Sequence, residues 1–519
     1  SQSAIPVVAD HVSLPSQAAS ATLLDLLPPH LRTLYSDPSL LLRPSPARCR
    51  VRPRAFTASP VDYVQLIRRM HSLDMVVFHS SVFCVNGVFA VPKDGVSQRL
   101  IIDARPANSL FVEPPHVDLP TPDLFARLIP RDGARLWVAK VDLDNFYHRL
   151  RLPPWMIPYF GLPPIVSDAL GLQWQFGSGV FIYPCCTTLP MGFSHAVALA
   201  QAIHEHLLDR ATPLRPQDRI TAGNDLNVDR TRHGAYIDDL ILVGEDRDQL
   251  AAFQQTYISA AATSGIPPKA SKVVPPSRCV ECLGLELDGL NLTVGVSVPK
   301  VRRLIVDTSA ILARGSCSGH TMATLVGRWT WTILPTRPAF AVFSAVYRFI
   351  QIAHHRVFSV WPSVVQELRT IMGLAPLLFS RLDGAWFPRV IATDASSTGL
   401  GVVAAPLRPR LSAPRPASSW TTIVSSRWRF SEHINVLELR AVSTALRWAL
   451  SSPLSIGSRL LLLSDSSVVV GALSKGRSSS YQILRRLRSI SALLLASGIH
   501  LHPSWIPSAS NPADAPSRA

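Results

Sequence analysis

Three aspartates are placed to gather metal ions. Asp142 closes the largely apolar run Leu136-Trp137-Val138-Ala139-Lys140-Val141, and Asp238 and Asp239 stand inside Tyr236-Ile237-Asp238-Asp239-Leu240-Ile241-Leu242-Val243. Two short apolar runs meeting at adjacent acids predict a β-hairpin with carboxylates at its turn. A hairpin turn beside a strand end can set three acids around a pair of divalent metals, which clamp the attacking and leaving oxygens of an in-line phosphoryl transfer. A second carboxylate set follows. Asp394 ends the strand-like run 389–393, Glu438 lies in Ile434-Asn435-Val436-Leu437-Glu438-Leu439-Arg440-Ala441, Asp465 ends the run 459–464, and Asp514 lies in Asn511-Pro512-Ala513-Asp514.

These acids need elements to hold them. Ile434, Leu437, Ala441, Ala445 and Trp448 recur at spacings of 3, 4, 4 and 3, a helical stripe with Glu438 on its flank, facing Asp394. Asn511-Pro512-Ala513-Asp514 reads as a helix start with Asn as N-cap, so Asp514 is open to a capping role as well as a ligand role. Upstream, residues 1–55 are rich in Pro, Ser and Arg, with one short helix over 18–27. They read as an extension packed on, or tethered to, the first domain. Strands over 81–91 and 99–103 precede an alternation of helices and strands to about 288, interrupted by a polar loop over 210–234. Residues 298–380 are helical with Arg and Trp interspersed, and a separate α/β unit starts at 389, carrying a Pro/Arg-rich loop over 407–419.

Composition narrows the partners. At 519 residues the chain exceeds one core, and 47% hydrophobic content supports packed domains. Lys and Arg number 51 against 35 Asp and Glu, a net charge of +16 that favours a polyanion, nucleic acid before an anionic membrane. No apolar run reaches the roughly 18 residues of a membrane span. The start, Ser1-Gln2-Ser3, has neither an initiator Met nor a signal-peptide pattern, so the chain is expected to be a segment of a longer polyprotein. Seven cysteines make no disulfide framework; the lone pair Cys279 and Cys282 and the adjacent Cys185 and Cys186 read as core cysteines of a reducing compartment.

Asp142-Leu143-Asp144-Asn145-Phe146-Tyr147-His148, then Leu189-Pro190-Met191-Gly192-Phe193 with Gln201, then Tyr236-Ile237-Asp238-Asp239 resemble reverse-transcriptase motifs A, B and C in family order. The resemblance implies that Asp142, Asp238 and Asp239 bind metal and that Tyr147 blocks the ribose 2′-hydroxyl. It also implies that Met191, Gly192 and Gln201 line the template and nucleotide. Lys93-Asp94-Gly95 and the run 99–108 look like the fingers strands, where Lys93 and Arg99 would neutralise a triphosphate, and Lys272 falls at the motif D lysine. Leu283-Gly284-Leu285 resembles the primer-grip hairpin. Asp144 is not a family ligand and reads as a solvated or salt-bridged side chain. Lys300, Arg302, Arg303 and Arg328-Trp329-Thr330-Trp331 suit a thumb that follows a duplex, although Trp at this spacing also suits core packing.

The order Asp394, Glu438, Asp465, Asp514 resembles RNase H, which implies two Mg²⁺ ions per site, with Mn²⁺ as an alternative, and cleavage of RNA in a hybrid. The family's loop His is missing from 507–510, and His502 upstream does not take that role; this touches nuclease rate more than metal binding. Lys475, Arg477, Arg485 and Arg486 suit either a hybrid-binding or a solvated face. The expected fold is α/β and α+β multidomain: an N-terminal extension (1–55), fingers and palm (56–290), thumb and connection (291–385), and an RNase H-like α/β domain (386–519). Expected partners are an RNA template, a DNA primer, RNA–DNA hybrid and dNTPs, with no membrane. The expected setting is cytoplasm, nucleus or a virus-like particle. The C-terminal phrase 505–518 resembles the endings of tyrosine-recombinase retrotransposons of the DIRS and VIPER kind and of hepadnavirus polymerases, and the runs at 189–193 and 434–439 look closer to the retrotransposons. A domesticated nucleic-acid-binding protein with a weak catalytic core is the alternative, opposed by the intact acids.

Overall fold

The computed structural model describes residues 4–44, 51–53, 58–93, 95–407 and 419–519. Asp94 and most of the Pro/Arg-rich loop, 408–418, lie outside the described residues. The chain forms two compact units, residues 1–120 with 136–280, and residues 121–135 with 281–519.

The first unit takes the N-terminal residues into its core. Val7, Ala9, Val12, Leu23, Leu27 and Tyr35 are buried. In place of the helix expected over 18–27 there is a strand Ala21–Thr22 and a one-turn helix Leu23–Leu26, then a helix Pro29–Ser36. Pro at the first helical position opens the third of these, since its missing N–H would be unpaired there anyway. The strand expected over 81–91 begins only at Gly87. It is β1 (Gly87–Pro92), paired antiparallel with β2 (Gln98–Asp103). Ile5 bridges to Ala90 and Val12 to Gln98, so the N-terminal segment extends this hairpin.

The acids ride on β3 (Trp137–Asp142), α1 (Ala196–Ala211), β4 (Arg232–Tyr236), β5 (Asp239–Gly244), α2 (Arg247–Thr263) and β6 (Val274–Ser277). The sheet order is β6-β3-β5-β4 with antiparallel neighbours. Asp239 stands opposite Asp142 on one side and Tyr236 on the other. A one-residue slip would turn these side chains to the other face, so the buried runs Val138, Ala139, Val141 and Leu240 to Val243 fix the acids as well as the core. The polar stretch 210–234 is not wholly loop, because β4 starts at Arg232. That buried guanidinium donates to Asn227 O and Gln217 O and folds the loop around itself.

In the second unit, α3 (Val298–Arg314), α4 (Gly319–Ile333), α5 (Ala345–Ala353) and α6 (Pro362–Leu374) pack around Trp329, which is fully buried and donates to Thr308 Oγ1 at 3.0 Å. Trp331 is 39% exposed and donates to Leu283 O at 3.0 Å. Leu283 and Gly284 both have positive φ, and a Cβ on Gly284 would lie 2.6 Å from the Trp331 Nε1, so this turn requires glycine. Of the two tryptophans, one is core and one holds a turn.

The C-terminal sheet uses β7 (Arg389–Ala395), β8 (Gly399–Pro406), β9 (Thr421–Arg427), β10 (Arg459–Ser464) and β11 (His500–Trp505), in the order β9-β8-β7-β10-β11. Pairings on the β9 and β8 side are antiparallel, and β7–β10 and β10–β11 are parallel. The helices are α7 (Ile434–Ala449), α8 (Ser467–Lys475), α9 (Tyr481–Ser497) and α10 (Asp514–Arg518). Of the stripe expected on α7, Leu437, Ala441 and Ala445 are buried, Trp448 is half-buried and Ile434 is exposed, and Leu439, Val442 and Leu446 are fully buried alongside, so the apolar face is wider than the expected one. α10 starts at Asp514, after the expected Asn cap. Asn511 Oδ1 instead takes the Ala513 N–H within the preceding turn. Cys185, Cys186 and Cys282 are buried as expected, but Cys279 is exposed, because alternate residues of its strand face outward. Among the described residues, no helix is long and apolar enough to cross a membrane.

Candidate active sites

The β4–β5 turn is Ile237-Asp238, with Ile237 held at φ +58°. A β-branched residue is strained there, so the turn must be held by its surroundings. It is. Ile237 N–H donates to Gln201 Oε1 at 2.9 Å, and Gln201 Nε2 donates to Ala235 O at 2.7 Å and to Glu205 at 2.8 Å. The Ile237 carbonyl accepts from His204 Nδ1 at 2.7 Å, and Tyr257 donates to His204 Nε2 at 2.8 Å. Asp238 O accepts from Leu143 N–H at 2.9 Å, tying the turn to the end of β3. Gln201 is thus buried beneath the hairpin and supports it, a role beyond the substrate lining that the resemblance implies.

Two ammonium groups face the three acids. Lys272 lies 2.8 Å from Asp142 Oδ2, and Lys140 lies 3.1 Å from Asp239 Oδ1. Burial, then the charges of Asp239 and Asp142, push the Asp238 carboxyl up to about 6. Burial also raises Asp239, against the opposing pull of Lys140. The bond to Asp142 raises Lys272. Sequence reasoning missed Lys140, although its signal was present: it precedes Asp142 by two on a strand and so shares its face.

Tyr147 follows in α-helical Phe146–Arg149, half-buried, its phenol pushed up to about 12 by burial and by Asp238 and Tyr236. Asp144 is salt-bridged to Arg149 at 2.6 Å, one of the two readings the sequence allowed. Gly192 has φ +122°, and a Cβ there would lie 2.0 Å from Ile102 O, while Met191 O accepts from Ile102 N–H at 2.9 Å. The glycine therefore serves a close approach to β2, in addition to the approach of template and nucleotide that the resemblance implies. Lys93 and Arg99 lie on the β1–β2 hairpin, Arg99 exposed and Lys93 half-buried with its ammonium 2.9 Å from Ser13 Oγ.

In the second unit, the carboxylates of Asp394, Glu438 and Asp465 lie within 4.8 Å of one another. Burial, then Asp394 and Asp465, push Glu438 up to about 8, and burial raises Asp394. Asp514 is not in this cluster. Its carboxylate is taken by Arg518 one helical turn on, at 2.7 Å, and it remains partly exposed. Two polar side chains brace the cluster, Asn511, which the sequence marked only as a helix cap, and Ser517, which it did not mark. Asn511 Nδ2 donates to Asp465 Oδ1 at 3.1 Å and Thr393 O at 3.2 Å, and Ser517 donates to Asp394 Oδ2. Trp505 Nε1 donates to Asp465 O at 2.9 Å. His502 packs against Trp386 with the rings tilted at 46° and their centroids 4.8 Å apart, and burial pushes it down to about 3. Lys475, Arg477 and Arg485 are exposed, and Arg486 pairs with Glu432 at 3.2 Å.

Divalent cations suit both sets. Glu438 Oε2 is buried without a hydrogen-bond partner among like charges, and three carboxylates at the hairpin face two ammonium groups.

Residues 91–287 match the protein family described as reverse transcriptase (RNA-dependent DNA polymerase). No curated protein matches the sequence. Among solved structures, the chain is similar to the foamy viral protease–reverse transcriptase in complex with dsDNA, with TM-score 0.50 and 14% identity over 90% of this chain and 86% of that one. It is similar also to the same viral protein in complex with an RNA/DNA hybrid, with TM-score 0.51 and 13% identity over 93% of this chain and 62% of that one. Residues 91–287 therefore carry a reverse transcriptase domain, in a chain whose mixed α/β multidomain fold is of the right-hand polymerase class and ends in a five-stranded α/β unit.

Proposed function

We propose that the chain is an RNA- and DNA-directed DNA polymerase that also cleaves the RNA of an RNA–DNA hybrid. The observation that carries this is the register that sets Asp142 opposite Asp239 with Asp238 in the adjoining turn, together with the separate cluster of Asp394, Glu438 and Asp465. Asp142, Asp238 and Asp239 would hold Mg²⁺ or Mn²⁺ at one site, and Asp394, Glu438 and Asp465 at the other, with Asp514 joining them only once released from Arg518. The bound ions would clamp the attacking and leaving oxygens of phosphoryl transfer.

The chain's own residues supply the rest. Gln201, His204 and Tyr257 hold the strained turn that aims Asp238. Lys140 keeps Asp239 in place, while Lys272, whose side chain is 53% exposed, can turn from Asp142 to an entering phosphate. Lys93 and Arg99 neutralise the dNTP triphosphate, and Tyr147 packs beneath its sugar. The net charge of +16 favours the RNA template, DNA primer and hybrid as partners. Primer extension on poly-rA/oligo-dT with Mg²⁺ tests the polymerase reading, and release of labelled RNA from a hybrid tests the nuclease. A chain inactive in both assays, with its acids intact, would leave only the nucleic-acid-binding alternative. Within reverse transcriptases, the runs at 189–193 and 434–439 support a tyrosine-recombinase retrotransposon, for which a recombinase in the flanking reading frame is the test.

A further inference from the structure

The last helix is fitted to the C-terminal acid cluster more closely than carrying Asp514 requires. β8 makes room for α10 with two glycines. A Cβ on Gly401 would lie 2.4 Å from Ala513 O and 2.8 Å from Ser517 N, and one on Gly399 would lie 2.9 Å from Ser517 O. Two hydroxyls fasten the helix from the strand side: Ser396 Oγ donates to Ser517 O and Ser425 Oγ to Pro516 O, each at 2.7 Å. These contacts converge on one residue. Ser517 is fully buried, and its hydroxyl donates to Asp394 Oδ2. Asp394 is the register partner of Gly401, so the glycine that admits the helix stands beside the acid that the helix reaches.

We propose that Ser517 is a positioning residue of the hybrid-cleaving site, holding the Asp394 carboxylate in the orientation that converges with Glu438 and Asp465. With one carboxylate oxygen engaged by the hydroxyl, the other is kept for a cation. The inference rests on the nuclease reading given above. Partners that orient a ligating carboxylate typically account for about 10–100-fold in metal affinity or activity.

The test uses the full chain carrying Asp238→Asn, which weakens the competing hairpin site. Mn²⁺ binding is measured by titration calorimetry, with hybrid cleavage and a metal-free melting curve alongside. Comparison with Asp394→Asn identifies the C-terminal binding event. Ser517→Ala should weaken that event by about 10-fold or more and slow cleavage in step, with a melting curve close to the parent's. Ser517→Thr, which keeps the hydroxyl, should restore both. Parental Mn²⁺ affinity and cleavage in Ser517→Ala would overturn the assignment. So would a loss of affinity that tracks a lowered melting temperature and is not restored by threonine. A parent chain with neither hybrid cleavage nor a Mn²⁺ event sensitive to Asp394→Asn would sink the nuclease reading itself, and this inference with it.

Discussion

Gln201 carries the hairpin turn, and its removal separates support from substrate contact. Gln201→Leu keeps the bulk of the side chain but strips two bonds from the turn, those to Ile237 N–H at 2.9 Å and Ala235 O at 2.7 Å. A buried group left unpaired costs about 1–3 kcal/mol, so the two together imply a stability loss of roughly 2–6 kcal/mol. The turn also holds strain of its own, since an L residue in the left-handed region costs about 1–2 kcal/mol. The net worth of the two lost bonds, about 1–3 kcal/mol, is of the same size. Without Gln201 the strained turn is therefore poorly favoured over a relaxed one, and Asp238, the next residue, moves with it. A misplacement of about 1 Å at a reacting centre lowers rate about 100-fold. Single-nucleotide extension should show a fall in kcat approaching that size with little change in KM for dNTP, and hybrid cleavage should persist. Glycine accepts positive φ without strain, so adding Ile237→Gly should recover part of kcat. An unchanged unfolding midpoint with a raised KM would instead return Gln201 to the substrate and refute the support argument.

The two sites should be separable: Asp238→Asn should abolish DNA synthesis and retain hybrid cleavage, and Asp465→Asn should leave full-length cDNA paired to uncut RNA. Loss of both activities in either folded variant would contradict two independent sites. Tyr147→Ala should raise ribonucleotide incorporation markedly and reduce dNTP use much less, read as the ratio in single-nucleotide extension. A joint loss of synthesis and melting temperature with no change in that ratio would make Tyr147 a core aromatic only. Stability of the metal-free protein should fall as pH drops from about 6.5 to 4, followed by denaturant midpoint, because burial holds His148, His204, His233 and His500 down to about 4 while the unfolded chain protonates at about 6.5. Each contributes about 3 kcal/mol over that window. His195, His206 and His502 are held down as well, seven histidines in all, whereas six acids, Asp238, Glu438, Asp239, Asp394, Glu205 and Asp209, are raised and act in the opposite sense; a midpoint that rises on acidification would defeat the argument.

The acids were legible because their placement is local. A strand end and a two-residue turn are written in apolar runs a few residues long, and the register that brings Asp142 opposite Asp239 follows from burying one face of each strand. The same period pointed to Lys140, yet one cation in an apolar run reads equally as a solvated edge until its partner strand is known. The supporting role of Gln201 was not legible for a different reason: its partners lie more than thirty residues away on β4 and the turn, and only the packing of α1 under the hairpin brings them together. The expected helix over 18–27 failed where tertiary pairing prevailed over propensity, since Ala21 and Thr22 pair with Leu150 and Arg151.

Asp514 shows the limit most clearly. Its spacing fits both a helix-start acid and a ligand, and Arg518 stands at i+4, where a local ion pair forms without any help from the fold. What singles out α10 is instead Ser517, a residue of no distinctive type, whose meaning comes from the two glycines on β8 that let the helix approach. Strand glycines often mark a close backbone approach. Gly399 and Gly401 in Gly399-Leu400-Gly401-Val402 were therefore the available signal that some later segment must lie against β8, where Gly401 stands opposite Asp394.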